Sequence, residues 1–132
     1  MYDNDWFSQW LGIERVKIES GSCVLKMIVR KEMLNGFGIA HGGITYSLAD
    51  SALAFASNSH GRMSVSVETS ISHTVQLFEG DAITATAEEM SLSNKIAIYN
   101  ITVKNQKNEI VALFKGTVYR TGKEWFPSEE KK

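Results

Sequence analysis

From Ile44 to Asn58 the chain carries neither proline nor glycine, is rich in Ala, Leu and Phe, and follows a glycine-rich loop, Asn35-Gly36-Phe37-Gly38-Ile39-Ala40-His41-Gly42-Gly43. Wound as a helix beginning near Gly42, its residues Ile44, Leu48, Ala49, Ala52, Leu53, Ala54, Phe55 and Ala56 point in nearly every direction. A helix apolar all round has no face to show to water and is buried. Whatever else this chain forms must therefore enclose one helix.

The flanking segments supply the enclosure. From Gly12 to Arg30 the apolar residues alternate, Val16 and Ile18, then Cys23, Leu25, Met27 and Val29, on either side of a Ser20-Gly21-Ser22 turn. That is a β-hairpin pattern. After Ser59-His60-Gly61, the residues Val65, Val67, Thr69, Ile71, His73, Val75 and Leu77 alternate with Ser66, Glu68, Ser70, Ser72, Thr74 and Gln76. Period two held this long predicts a long strand with one buried face. Strands at about 81–90, 96–104 and 110–120 follow through short turns, which makes neighbours antiparallel. Trp6, Phe7, Trp10 and Leu11 form the stripe of a short N-terminal helix (1–11) that packs on the body, and the tail 122–132, with Pro127 and a charged end, is expected to fray. The order β-β-α-β-β-β-β gives an α+β fold in which an antiparallel sheet curls around the helix. At 132 residues the expectation is a single domain spanning 1–132.

Several function classes are excluded early. A net charge of -1 with scattered Lys and Arg gives no basic face for a phosphate backbone, so no nucleic-acid partner is expected. The N-terminus carries two Asp where a secretory signal would carry Lys or Arg, and the longest apolar region, near 44–57, is broken by Thr45, Ser47, Asp50 and Ser51. It falls short of the roughly 20 residues of a membrane span. Cys23 is the only cysteine, and no Cys and His cluster has zinc-ligand spacing. A cytoplasmic chain with no metal fits these features.

Asp50 is the anomaly. A poor helix former sits mid-helix among buried neighbours, and a buried carboxylate must be paired, hydrogen-bonded, raised in pKa or used. A carboxylate at a wet subunit seam, or one capping a neighbouring loop, would also satisfy the pattern. Gly42 and Gly43 place unhindered N–H groups at a helix N-terminus, where orphan donors and the helix dipole favour a developing oxyanion, although a tight loop-to-helix turn needs glycine too. Gly42 and Asp50 are about 12 Å apart at 1.5 Å per residue, too far for one carbonyl to touch both. If both act on one carbonyl, they come from two copies of the chain, with antiparallel helices related by a two-fold axis.

The combination of Asn35-Gly36-x-Gly38-x-x-His41-Gly42-Gly43 with Ser47-Leu48-Ala49-Asp50-Ser51-Ala52 and Ala112-Leu113-Phe114-Lys115-Gly116 resembles the phenylacetate-degradation (PaaI-like) branch of the hotdog-fold thioesterases, over about residues 12–122. The resemblance implies a hotdog fold and hydrolysis of a small or medium acyl-CoA, aryl acyl groups included, without metal or organic cofactor. It further implies sites shared between subunits of a homodimer that commonly pairs into a homotetramer. By position it makes Asp50 the nucleophile or the general base for water, Gly42 the oxyanion donor, Asn35 the group that orients the thioester or water, and Ser66 a holder of the attacking water. Asn35 as a loop residue bonding its own backbone, and Ser66 as part of a solvated face with Glu68, Ser70 and Ser72, remain alternatives. His41 and Gly43 belong to the substrate-binding loop, with His41 as its brace, and Lys95 is either a group that meets the nucleotide phosphates or, the reading its turn favours, a solvated lysine.

The chain departs from that pattern in two places. Many relatives have an aromatic, a basic residue and a proline where it reads His73-Thr74-Val75-Gln76, and a glycine before the basic residue where it reads Ser93-Asn94-Lys95. Core or surface roles are assigned to His60 and His73. Two other functions fit a similar scaffold: a non-catalytic acyl-CoA sensor, which would have no use for Asp50, and a thioester hydratase, which would need His41 facing the substrate.

Overall fold

The computed structural model describes residues 2–125. Its two helices are α1 (Trp6–Leu11) and α2 (Gly42–Asn58), and its strands are β1 (Glu14–Glu19), β2 (Ser22–Ile28), β3 (Arg62–His73), β4 (Ala82–Leu92), β5 (Ile96–Lys104) and β6 (Ile110–Glu124). The six strands form one sheet in the order β1-β2-β4-β5-β6-β3, and every neighbouring pair is antiparallel. α2 packs against all six strands. This is the wrapped-helix architecture expected from the sequence.

The sheet can come this close to the helix because its inner face is lined with small residues. Ala85 and Ala87 of β4, Ala97 of β5 and Ala112 of β6 are buried beside Ile83, Tyr99, Ile101, Val103, Phe114 and Val118. Closest of all is Gly116, where a β-carbon would stand 2.5 Å from Leu53 Cδ2, so only glycine admits the helix there. Burial also pushes the Cys23 thiol up to about 12, which keeps it protonated and inert.

β3 departs from the expected pattern. Ser66 pairs with Val118 but Glu68 pairs with Thr117, so Val67 is an extra residue, a β-bulge. Paired residues share a face of the sheet, and Val118 is buried, so Ser66 faces the helix. Past the bulge the parity reverses, and Thr69, Ile71 and His73, opposite Gly116, Phe114 and Ala112, face inward. Val65 and Val67 are consequently 54% and 60% exposed. The single buried face expected across the whole strand holds only from Thr69 onward, and Ser66 does not share a face with Glu68, Ser70 and Ser72.

Two further expectations change. Trp6, Phe7 and Trp10 are exposed, and α1 docks instead through Leu11 and Ser8. Ser8 is held by Asp5, which caps the helix, and its Oγ lies 2.7 Å from Ser51 Oγ on α2. Six residues are too few to bury a stripe that spans two faces. At the other end, β6 includes Gly122 to Glu124, and Trp125 donates its backbone N–H to Gly61 O (2.8 Å) and its indole N–H to Asn58 Oδ1 (2.7 Å). The tail is thus ordered to Trp125, and the rest of the expected frayed segment, 126–132, lies outside the described residues.

Candidate active site

α2 begins where the sequence motif placed it. His41 is the N-cap, with Nδ1 accepting from the Gly43 N–H at 3.3 Å, and its own backbone N–H donates to Met33 O at 2.8 Å. His41 therefore braces the turn, and the Gly43 N–H is engaged by it. The Gly42 N–H makes no hydrogen bond among the described residues. It is an orphan donor at the positive end of a helix dipole.

Beside it lies Asn35. Its Oδ1 accepts from Phe37 N (2.9 Å) and Ile39 N (3.4 Å), closing the loop on itself. The loop reading of Asn35 is thus realised, with a consequence for chemistry: with Oδ1 committed to backbone donors, the side-chain amide offers only N–H groups outward. Asn35 and Gly42 line one cleft of about 290 Å³ together with Ile39, Thr45, His73 and Gln76.

Asp50 lies elsewhere. It lines a smaller cavity of about 70 Å³ with Leu53, Ala54, Ser57, Ser64, Ser66 and Val118. Burial first, and the charge of Asp5 second, push the Asp50 carboxyl above the ordinary carboxylate range. No described group hydrogen-bonds to it, so it does not cap a neighbouring loop. Gly43, Ser47, Asp50 and Ala54 form a stripe along α2 that is not fully buried, with Gly42, Tyr46 and Asn58 also partly open. The helix thus carries a donor cleft at its N-terminus and a carboxylate cavity two turns further on, and one protomer does not bring them together. Lys95 lines neither; it sits exposed in the β4–β5 turn, where its carbonyl accepts from Arg120 N at 2.7 Å.

Residues 37–112 match the family model described as the thioesterase superfamily. The chain belongs to the thioesterase superfamily. Over 122 residues, 92% of this chain and 87% of the relative, it is 39% identical to the acyl-coenzyme A thioesterase PaaI of Escherichia coli. The solved structure of that protein superposes with a TM-score of 0.92 over 94% of this chain and 90% of the other. The phenylacetic acid degradation protein PaaI of Thermus thermophilus is 38% identical with a TM-score of 0.86, covering 89% of this chain and all of that one. A Streptococcus mutans protein solved bound to acetyl-CoA is 28% identical with a TM-score of 0.82, covering 85% and 90%. The likeness establishes the hotdog fold and thioester hydrolysis as the class of reaction.

For this thioesterase the sequence reading gave His73 only a core or surface role, whereas the structure places it in the Gly42 cleft. A usable signal existed, because His73 keeps parity with Ile71 and Thr69. Among the described residues, no helix is long and apolar enough to cross a membrane.

Proposed function

We propose that the chain hydrolyses a small or medium acyl-CoA, aryl acyl groups included, and that each site is completed by two subunits. Asp50 of one protomer takes a proton from water, the resulting hydroxide attacks the thioester carbonyl, and the Gly42 N–H of the partner subunit holds the oxyanion, assisted by the Asn35 amide. Collapse of the intermediate breaks the C–S bond, the expelled CoA thiolate takes up the proton held by Asp50, and the free acid remains. Ser66, in the Asp50 cavity, holds the attacking water. The raised Asp50 carboxyl favours the proton-acceptor role over direct attack, since a base works best when its pKa approaches the working pH.

The observation that carries this reading is the separation of the two half-sites within one chain. β3 supplies the means of joining them. It is an edge strand, paired only with β6, and its exposed Val65 and Val67 call for a cover. Two β3 edges pairing antiparallel about a two-fold axis bring the His73 end of one strand to the Ser66 end of the other, and so the Gly42 cleft of one protomer to the Asp50 cavity of its partner. Pairing of such dimers gives the homotetramer, and the cytoplasm is the proposed location. The hydratase alternative needs a free His41, whose Nδ1 is instead engaged by Gly43.

Complementation tests the shared site. Asp50→Asn and Gly42→Pro chains, each inactive alone in a CoA-release assay, are unfolded together and refolded. Half the dimers are then mixed, and each holds one intact site of two, which restores roughly a quarter of wild-type turnover. No recovery, with mixed dimers demonstrated by differential tagging, refutes the shared site.

A further inference from the structure

The cleft at the start of α2 contains a side chain to which the mechanism above gives no part. A methyl group placed on Gly42 would stand 3.3 Å from His73 Nε2, 3.6 Å from Cε1 and 4.0 Å from Cδ2. The ring therefore points its Nε2 edge at the glycine whose N–H is free. His73 is the last residue of β3, paired with buried Ala112, and the next residue fastens the backbone: Thr74 donates its N–H to Val111 O (2.9 Å) and its hydroxyl to Ile110 O (2.6 Å). The backbone that carries the ring is thus set by the sheet, not by a loose loop. Neither ring nitrogen has a hydrogen-bond or ion-pair partner among the described residues, which separates His73 from the other two histidines. His41 Nδ1 caps the helix, and His60 Nε2 lies 2.6 Å from Glu89 Oε1. His73, Asn35 and Gly42 line the same cleft of about 290 Å³.

We propose that His73 touches the substrate: in the tautomer protonated at Nε2, it donates a hydrogen bond to the thioester carbonyl oxygen that the Gly42 N–H also binds. No proton is transferred. The bond strengthens as the carbonyl oxygen takes up charge and relaxes when the intermediate expels thiolate, so its contribution falls on kcat more than on KM. The donor set at the oxygen is then one backbone N–H fixed by the helix, one amide fixed by the loop, and one imidazole fixed by the sheet. Three independent elements converge on one atom, which defines its position in all directions. This inference rests on the thioester reading of the cleft, so the experiment separates the two.

Wild type, His73→Phe and His73→Gln are compared over a panel of acyl-CoAs by CoA release, with melting temperatures recorded for each. The expected result is a fall in kcat of about 10- to 100-fold for His73→Phe with KM within about threefold, below the full cost of a buried oxyanion donor because the ring is exposed. His73→Gln, which keeps a donor, recovers much of the loss, and all three proteins melt alike. A wild-type kcat in His73→Phe overturns the proposal while leaving the hydrolase reading intact. The second arm does not depend on turnover. In Asp50→Asn, imidazole ¹⁵N resonances are followed on adding a CoA ketone in which a methylene separates sulfur from the carbonyl. A shift confined to His73 Nε2 supports the contact even if no thioester is hydrolysed, and an unmoved His73 in a saturated complex overturns it.

Discussion

Gly116→Ala tests whether helix and sheet are as closely apposed as the fold requires. The new β-carbon would stand 2.5 Å from Leu53 Cδ2, 2.9 Å from Cδ1 and 3.2 Å from Cγ, so it meets three atoms of one side chain at once. Ordinary contact between carbons is near 3.5–4.0 Å, so the helix or the leucine must yield by about 1 Å. Leu53 is 1% exposed, so it is enclosed by neighbours on every side. Overpacking of this kind costs about 3 kcal/mol, offset by about 0.7 kcal/mol because alanine restricts the unfolded chain more than glycine does. The net loss of about 2 kcal/mol lowers Tm by roughly 8 °C in a domain of this size. Leu53 also lines the Asp50 cavity, so activity falls as the side chain is driven toward it. The assay is thermal and urea denaturation at fixed protein concentration, extended to a double-mutant cycle. Leu53→Ala alone costs about 2–5 kcal/mol, but in the double variant the added methyl occupies space already vacated, so the penalties sum to about 2 kcal/mol too much. A Gly116→Ala protein that melts with wild type, or penalties that add, refutes the reasoning.

Gly42→Pro removes the orphan N–H at the first helical position, where proline is well tolerated, and His41 already has the extended backbone (φ -60, ψ 137) that a following proline prefers; the new β-carbon stands 3.3 Å from His73 Nε2, so the exposed ring gives way by a few tenths of an ångström. Turnover is expected to fall by about 10²–10³ with little change in Tm, measured by CoA release and calorimetry. Asp50→Asn loses activity yet gains stability near neutral pH. The folded carboxyl is raised above the ordinary aspartate value of 3.8, so the folded state holds the proton more tightly, and stability declines as pH rises from 3.8 through the raised value. Melting curves of wild type and Asp50→Asn should therefore converge below about pH 4 and diverge above it, with the variant higher; the opposite order at pH 7 refutes the assignment.

Much of this molecule is legible in its sequence because two strong periodicities dominate it. The all-round apolar stretch ending at Asn58 allows only a buried helix, and its buried set in the structure includes Ile44, Leu48, Ala52, Leu53 and Ala56 as read. Strand order along the chain follows from the turns. The glycine loop and Asp50 line two different cavities, as their spacing along the helix required. What escaped the reading has no periodic signature. A bulge is a single residue of ordinary identity, and nothing about Val67 distinguishes it from Val65, so the parity of β3 and with it the placement of Ser66 could not be read. The exposed aromatics of α1 follow from docking by Ser8 and Asp5, two small polar residues that no hydrophobic pattern weighs. His73 was passed over because its neighbour across the fold, Gly42, is thirty-one positions away in the chain.

The bulge at Val67 also bears on how the chain reaches its native state. Strict alternation would place Val65 and Val67 under the helix and send Ser64 and Ser66 outward, an arrangement that local hydrophobicity favours. The native register reverses this, leaving two valines uncovered so that two serines can stand beside a carboxylate. β3 is therefore a locus of local frustration, with a slipped pairing against β6 as a built-in competitor on the folding route. In the dimer proposed above a second copy covers the valines and removes the competitor's advantage, so refolding yield is expected to rise with protein concentration until ordinary aggregation takes over.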